Sequence, residues 1–174
     1  MADLNPMTGS GVFEEGTSPE EAYDTFVNDL YGKVMGTIQM IVGSRATAED
    51  LAQEAFARAY LSWSKLWPEG NPGGWVYRVA TNLALSWRRR AGRELRAVQR
   101  LGRRTDLTGA APEVHPELHA AIARLPARQR AAVALHYNLG LSMEECGAAM
   151  KCAPGTVKSL LFSARERLRT DLKE

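Results

Sequence analysis

Cysteine is scarce in this chain: of 174 residues only Cys146 and Cys152 carry thiols. A disulfide framework is excluded as the source of stability, and the usage fits a reducing cytosol. A structural zinc site is excluded too, because two thiols lack further ligands at zinc spacing and the three histidines (His115, His119, His136) are scattered. Cys146 falls at a helix position that points inward, where a free thiol behaves as a small hydrophobe; a redox-sensitive bridge to Cys152 is the minor alternative. No run of about 18 apolar residues exists, so no membrane-inserting segment is expected. The chain begins polar and acidic, unlike a secretory signal. No glycine loop cradles phosphate and no nucleophile–base set stands out. The chain is therefore read as non-enzymatic, with no catalytic residue, no cofactor and no metal.

What is present is a charge asymmetry hidden under a net charge of +2. Residues 1–66 carry a net of −6 and residues 67–174 a net of +8. Two different partners are implied, one of them a polyanion. Accidental surface charge is the bland alternative.

The periodicity predicts an all-α protein of two small helical domains joined by a flexible linker, the C-terminal one containing a helix-turn-helix. Residues 1–17, rich in Gly, Ser and acid, are expected to be a disordered tail. The first domain is placed at 18–90. Ser18-Pro19-Glu20-Glu21 is a helix start, with a cap, Pro in the first turn and a capping-box carboxylate. Tyr23, Phe26, Leu30, Val34, Ile38 and Ile41 then recur at helical spacing up to Gly43. Thr47 is expected to cap a second helix running to about Leu66. One side of it holds Leu51, Ala55, Phe56, Ala59 and Trp63. The other mixes Asp50, Gln53 and Glu54 with Ala57 and Leu61, which reads either as a docking surface for a basic partner helix or as a solvated face.

Trp67–Gly74 is a turn-rich loop, and a third helix is expected over about Trp75–Arg90. Trp75, Arg78, Asn82, Ser86 and Arg89 share its outer face. An indole and an amide among guanidiniums suit single-stranded nucleic acid, since aromatic faces stack on unpaired bases, Arg neutralises phosphate and Asn reads a base edge. A protein contact is the alternative for such a surface. Residues 91–114 are assigned as linker, with its first part open to continuing the third helix and a linker proper read beyond Gly102, and 115–174 as the second domain.

Within that second domain Leu141–Arg169 reads as a helix-turn-helix. Ser142 and Glu145 form a capping box, and Pro154 opens the second helix. Val157, Leu161, Ala164 and Leu168 face inward, while Lys158, Phe162, Arg165 and Arg169 face out. An ordinary helical hairpin is the bland reading.

Taken in order, AEDLAQEAFARAY (Ala48–Tyr60), WVYRVATNLALSWRRR (Trp75–Arg90) and the Leu125–Leu168 stretch resemble the motifs of extracytoplasmic-function (group 4) bacterial RNA polymerase sigma factors. The resemblance covers roughly Tyr23–Leu172. It implies a subunit that binds core polymerase and directs initiation at promoters through −10 and −35 elements, in the cytoplasm and associated with the nucleoid. The first motif looks like the segment that docks on the polymerase clamp helices, which carries Asp50, Gln53, Glu54 and Phe56 over as core-binding residues; the second domain would meet the flap. The second motif resembles the part that melts and reads the −10 element, implicating Trp75, Tyr77, Arg78, Asn82, Ser86, Arg88, Arg89 and Arg90. In the family the preceding loop, here Leu66–Gly74, and the motif's Asn, here Asn82, help hold a flipped-out base. The third resembles the −35 reader of duplex DNA, with Thr156, Lys158, Ser159, Phe162 and Arg165 as contacts. An anti-sigma protein is the implied regulator. Ser86 stands where many members carry Asp, Leu160 and Ser163 where they carry Arg, and Lys151 at the usual turn glycine. A 24-residue linker (91–114) would span about 80 Å fully extended, against roughly 70 Å between elements two duplex turns apart. A free-standing helix-turn-helix regulator, or a sigma-like interaction module that has lost DNA reading, are the rivals.

Overall fold

The computed structural model describes residues 17–67, 70–100 and 116–172. The expected tail over residues 1–16, the linker over 101–114 and His115 lie outside the described residues. Every regular element among the described residues is helical.

Helix α1 (Pro19–Val42) starts at the expected capping box: Ser18 Oγ accepts from the Glu21 backbone N–H at 3.2 Å, and Glu21 accepts in return from the Ser18 N–H at 3.0 Å. It ends where Gly43 adopts a left-handed conformation (φ 82°), open to glycine at little cost. Helix α2 (Arg45–Leu61) begins three residues earlier than a cap at Thr47 would set it. Its cap is Ser44, whose hydroxyl accepts from the Thr47 N–H at 3.3 Å, so Thr47 is the recipient of the cap. Both residue types cap helices well, and the one next to Gly43 takes the place. A break at Ser62 then separates the single turn α3 (Trp63–Leu66).

Helix α4 (Pro72–Arg100) is longer than expected at both ends. Asn71 Oδ1 accepts from the Gly74 N–H at 2.8 Å, and Pro72 sits in the first turn, where its missing N–H costs nothing. At the other end the helix runs through Gly92 to Arg100, so residues 91–100, assigned above to the linker, are helical. A single glycine costs a helix only about 1 kcal/mol.

Phe26, Phe56 and Trp63 centre the first core, with ring centroids 5.0–5.6 Å apart for Phe26–Trp63 and Phe26–Phe56. The polar tips at its rim are bonded: Tyr23 Oη donates to the Phe56 carbonyl at 2.9 Å, and Trp63 Nε1 to the Pro19 carbonyl at 2.8 Å. The second unit contains α5 (Pro116–Arg124), α6 (Ala127–Val133), a π-helical turn (Ala134–Asn138), α7 (Met143–Met150) and α8 (Pro154–Asp171). The two units are not independent bodies here. Helix α7 packs on α4, α6 packs on α1 and α4, and one core cluster joins buried apolar residues of both units.

Candidate nucleic-acid and polymerase interfaces

The helix-turn-helix is built as the residues dictate. Ser142 and Glu145 form the reciprocal capping box at α7, at 3.1 and 2.8 Å. Lys151 ends α7 in the left-handed region (φ 53°, ψ 53°), the conformation that favours glycine. The chain then turns sharply over Gly147, where an added Cβ would lie 2.7 Å from the Cys152 carbonyl oxygen. Pro154 opens α8. Val157, Leu161 and Ala164 are buried, and Thr156, Lys158, Ser159, Phe162 and Arg165 are all exposed, with Phe162 at 59%. The Ser159 hydroxyl donates to its own helix at the Gly155 carbonyl, 3.0 Å away. Leu160 packs against the core as a half-buried side chain, which gives a structural use to the position where a cation was expected.

On α2, Asp50, Gln53 and Glu54 stand exposed, with Glu54 paired to Arg58 one turn on. Phe56 does not join them. It is buried between Phe26 and Tyr31, with both ring centroids 5.6 Å away, and no partner can reach it in this arrangement. Its place on the outer surface is taken by Tyr60 and Leu61, exposed at 57% and 84%. Helical spacing places Phe56 on the core side and Leu61 outside; the motif's register overrode that spacing.

The outer face of α4 separates into three kinds of position. Arg78, Arg89 and Arg90 are exposed; Trp75, Asn82, Ser86 and Arg88 are half-buried; Tyr77 is fully buried. Tyr77 is therefore a core residue rather than a DNA contact: its hydroxyl has no hydrogen-bond partner, and burial pushes its pKa up to about 12. Trp75 packs partly against the core. Arg89 donates to the Ser86 hydroxyl at 2.8 Å. Asn82 Nδ2 donates to the Arg78 carbonyl at 2.6 Å and to the Ala149 carbonyl of α7 at 3.0 Å.

Arg78, Asn82 and Ser86 line one cleft of about 540 Å³ together with Arg58 of α2 and Lys151 of the helix-turn-helix turn. Val79 and Leu83 supply its apolar lining. Neither Arg58 nor Lys151 is marked out by helical spacing on α4, because both arrive from other elements. The cleft offers cations, an amide and a hydroxyl over an apolar surface, which suits phosphate-bearing chains with bases.

The two thiols are not joined in a disulfide. Cys146 is buried and unpaired, pushed up to about 12 chiefly by burial and then by Glu145, and Cys152 is likewise free. Among the described residues no group of His, Cys, Asp and Glu side chains could hold a metal, and no helix is long and apolar enough to cross a membrane.

Fold and surfaces together define an all-helical protein with a cationic face on α4 of one unit and a helix-turn-helix on the other. Residues 26–94 match the Sigma-70 region 2 family and residues 115–168 the Sigma-70, region 4 family. The chain is 35% identical over 173 residues to the ECF RNA polymerase sigma factor SigE of Mycolicibacterium smegmatis, covering 93% of this chain but 66% of that one. To the ECF RNA polymerase sigma-E factor of Escherichia coli (strain K12) it is 30% identical over 166 residues, covering 86% of this chain and 85% of the relative. The sigma factor RpoE from Bartonella quintana, solved in complex with the anti-sigma factor NepR, superposes with a TM-score of 0.72 at 25% identity, covering 87% of this chain and 96% of that one. The chain belongs to the ECF RNA polymerase sigma factors.

Proposed function

We propose that this chain binds core RNA polymerase and directs promoter-specific initiation as a non-catalytic subunit of the cytoplasm. The observation that carries this is the pairing, on one chain of this family, of an exposed cationic recognition helix with a separate cationic face containing Asn82. Asp50, Gln53 and Glu54, joined by the exposed Tyr60 and Leu61, form the surface for the polymerase clamp. Trp75, Arg78, Asn82, Ser86, Arg88, Arg89 and Arg90 hold the opened −10 strand: guanidiniums take the phosphates, the indole stacks and the amide reads a base edge. Thr156, Lys158, Ser159, Phe162 and Arg165 meet the −35 duplex in the major groove. An anti-sigma protein is the natural regulator, by similarity to the solved complex of a relative with its anti-sigma factor.

Transcription reconstituted from purified core polymerase, this chain and genomic DNA of its source is the test. Initiation at discrete promoters, dependent on the chain, is expected. DNA binding indifferent to core polymerase would instead make it a free-standing regulator, and core binding without initiation would make it an interaction module.

A further inference from the structure

Arg130 on α6 is 2% exposed, and no ion pair among the described residues involves it. The hydrogen bond found for it is long, 3.4 Å to the Leu125 carbonyl, and its Nε has no partner. Burial, and then the like charge of Arg88 on α4, pull its pKa down to about 10. Arg88 is itself half-buried and outside every ion pair among the described residues. A buried charge without a counter-ion is costly, and a second guanidinium close by adds to that cost. The carbonyl end of α1 favours a cation through the helix dipole, yet no hydrogen bond joins Arg130 to those carbonyls.

Helix α2 begins at the same place. Arg130 Nη1 lies 3.9 Å from where a Cβ on Gly43 would stand, and Gly43 directly precedes Ser44, the cap of α2. The first turn of a helix leaves N–H groups without helical partners and carries partial positive charge. Ser44 accepts from the Thr47 N–H with its hydroxyl and from the Ala48 N–H with its carbonyl, which leaves those of Arg45 and Ala46. No carboxylate stands in that first turn, and Arg45 adds an exposed cation. Donors from α2 and α6 thus meet at the α1–α2 turn, with Arg88 close enough to Arg130 to act on its charge. Donor sets of this kind recognise oxyanions, the guanidinium fork taking two oxygens at once. We propose that Arg130, Arg88 and the first turn of α2 form a binding site for a small tetrahedral oxyanion of the inorganic-phosphate class. The depth of Arg130 admits an ion of a few atoms and excludes a nucleic-acid strand. The bound anion supplies the counter-charge that Arg130 lacks, so the stability of the folded chain rises with its concentration.

Thermal unfolding of the full chain in rising inorganic phosphate tests the site, with sodium chloride holding the ionic strength constant. The wild-type Tm should rise along a saturable curve that chloride alone does not reproduce. Arg130→Met, an uncharged side chain in the same space, should abolish the rise without lowering the Tm measured in the absence of phosphate. If Arg130→Met does not fold, Arg88→Gln decides. Its half-saturating phosphate concentration should be about tenfold higher, the loss of one charge-assisted contact, and an unchanged value overturns the site. No phosphate-dependent rise in the wild type overturns it as well. So does an equal rise in chloride, or a rise in Arg130→Met that matches the wild type, which would put the anion on the exposed arginines instead.

Discussion

Tyr77 and Phe56 show how a motif can name a residue that packing has already claimed. Tyr77 is fully buried with an unpartnered hydroxyl, and such a group costs about 1–3 kcal/mol. Tyr77→Phe should be neutral or stabilising by about 1 kcal/mol in denaturant unfolding, with DNA affinity unchanged. The pH profile should change as well. A folded-state pKa raised from 10.0 to about 12 contributes stability that is present below pH 10 and is lost as pH climbs to about 12, because the unfolded chain ionises first. The Phe variant should lose less stability over that range. For Phe56, truncation to Ala should cost about 3–5 kcal/mol of stability as an emptied core position. Asp50→Arg, on an exposed site, should instead abolish binding to core polymerase at unchanged Tm. Pull-down and thermal unfolding of the two variants side by side would show whether docking and folding separate in this way.

Among the elements, local chemistry decided what was legible from the amino-acid sequence. The capping boxes at Ser18 and Ser142, the left-handed stop at Gly43 and the Pro154 start all lie where short-range donors and acceptors require them. The C-terminal end of α4 was only partly legible: the arginines after Trp87 favour helix and left a continuation open, while Gly92 lowers propensity without forbidding one. The seating of α7 on α4 left no signal: Ala149 and Met150 look like ordinary core positions of their own hairpin. Lys151 is the instructive turn. A non-glycine residue in the left-handed region costs roughly 1–2 kcal/mol, so Lys151→Gly should stabilise the chain by about 1 kcal/mol in chemical unfolding. A loss of stability would mean that the lysine side chain returns more than the backbone strain takes.

At the scale of the whole molecule, the extension of α4 to Arg100 alters the span between the two DNA-reading surfaces. Ten residues counted as extended chain, 91–100, are helical, so they cover about 15 Å at about 1.5 Å per residue. The fourteen that follow up to residue 114 add at most about 46 Å at about 3.3 Å per residue. The tether then reaches about 60 Å instead of about 80 Å, short of the roughly 70 Å between elements two duplex turns apart, and the width of the domains must make up the rest. A chain with slack would tolerate variable promoters; with residues 91–100 helical, this one should be sensitive to the spacing between the two elements. Lengthening the spacer between −10 and −35 by about two base pairs, roughly 7 Å at 3.4 Å per step, should reduce initiation sharply, and flexible residues inserted after residue 100 should restore it. Promoter choice would then be a measurement of length as much as of sequence.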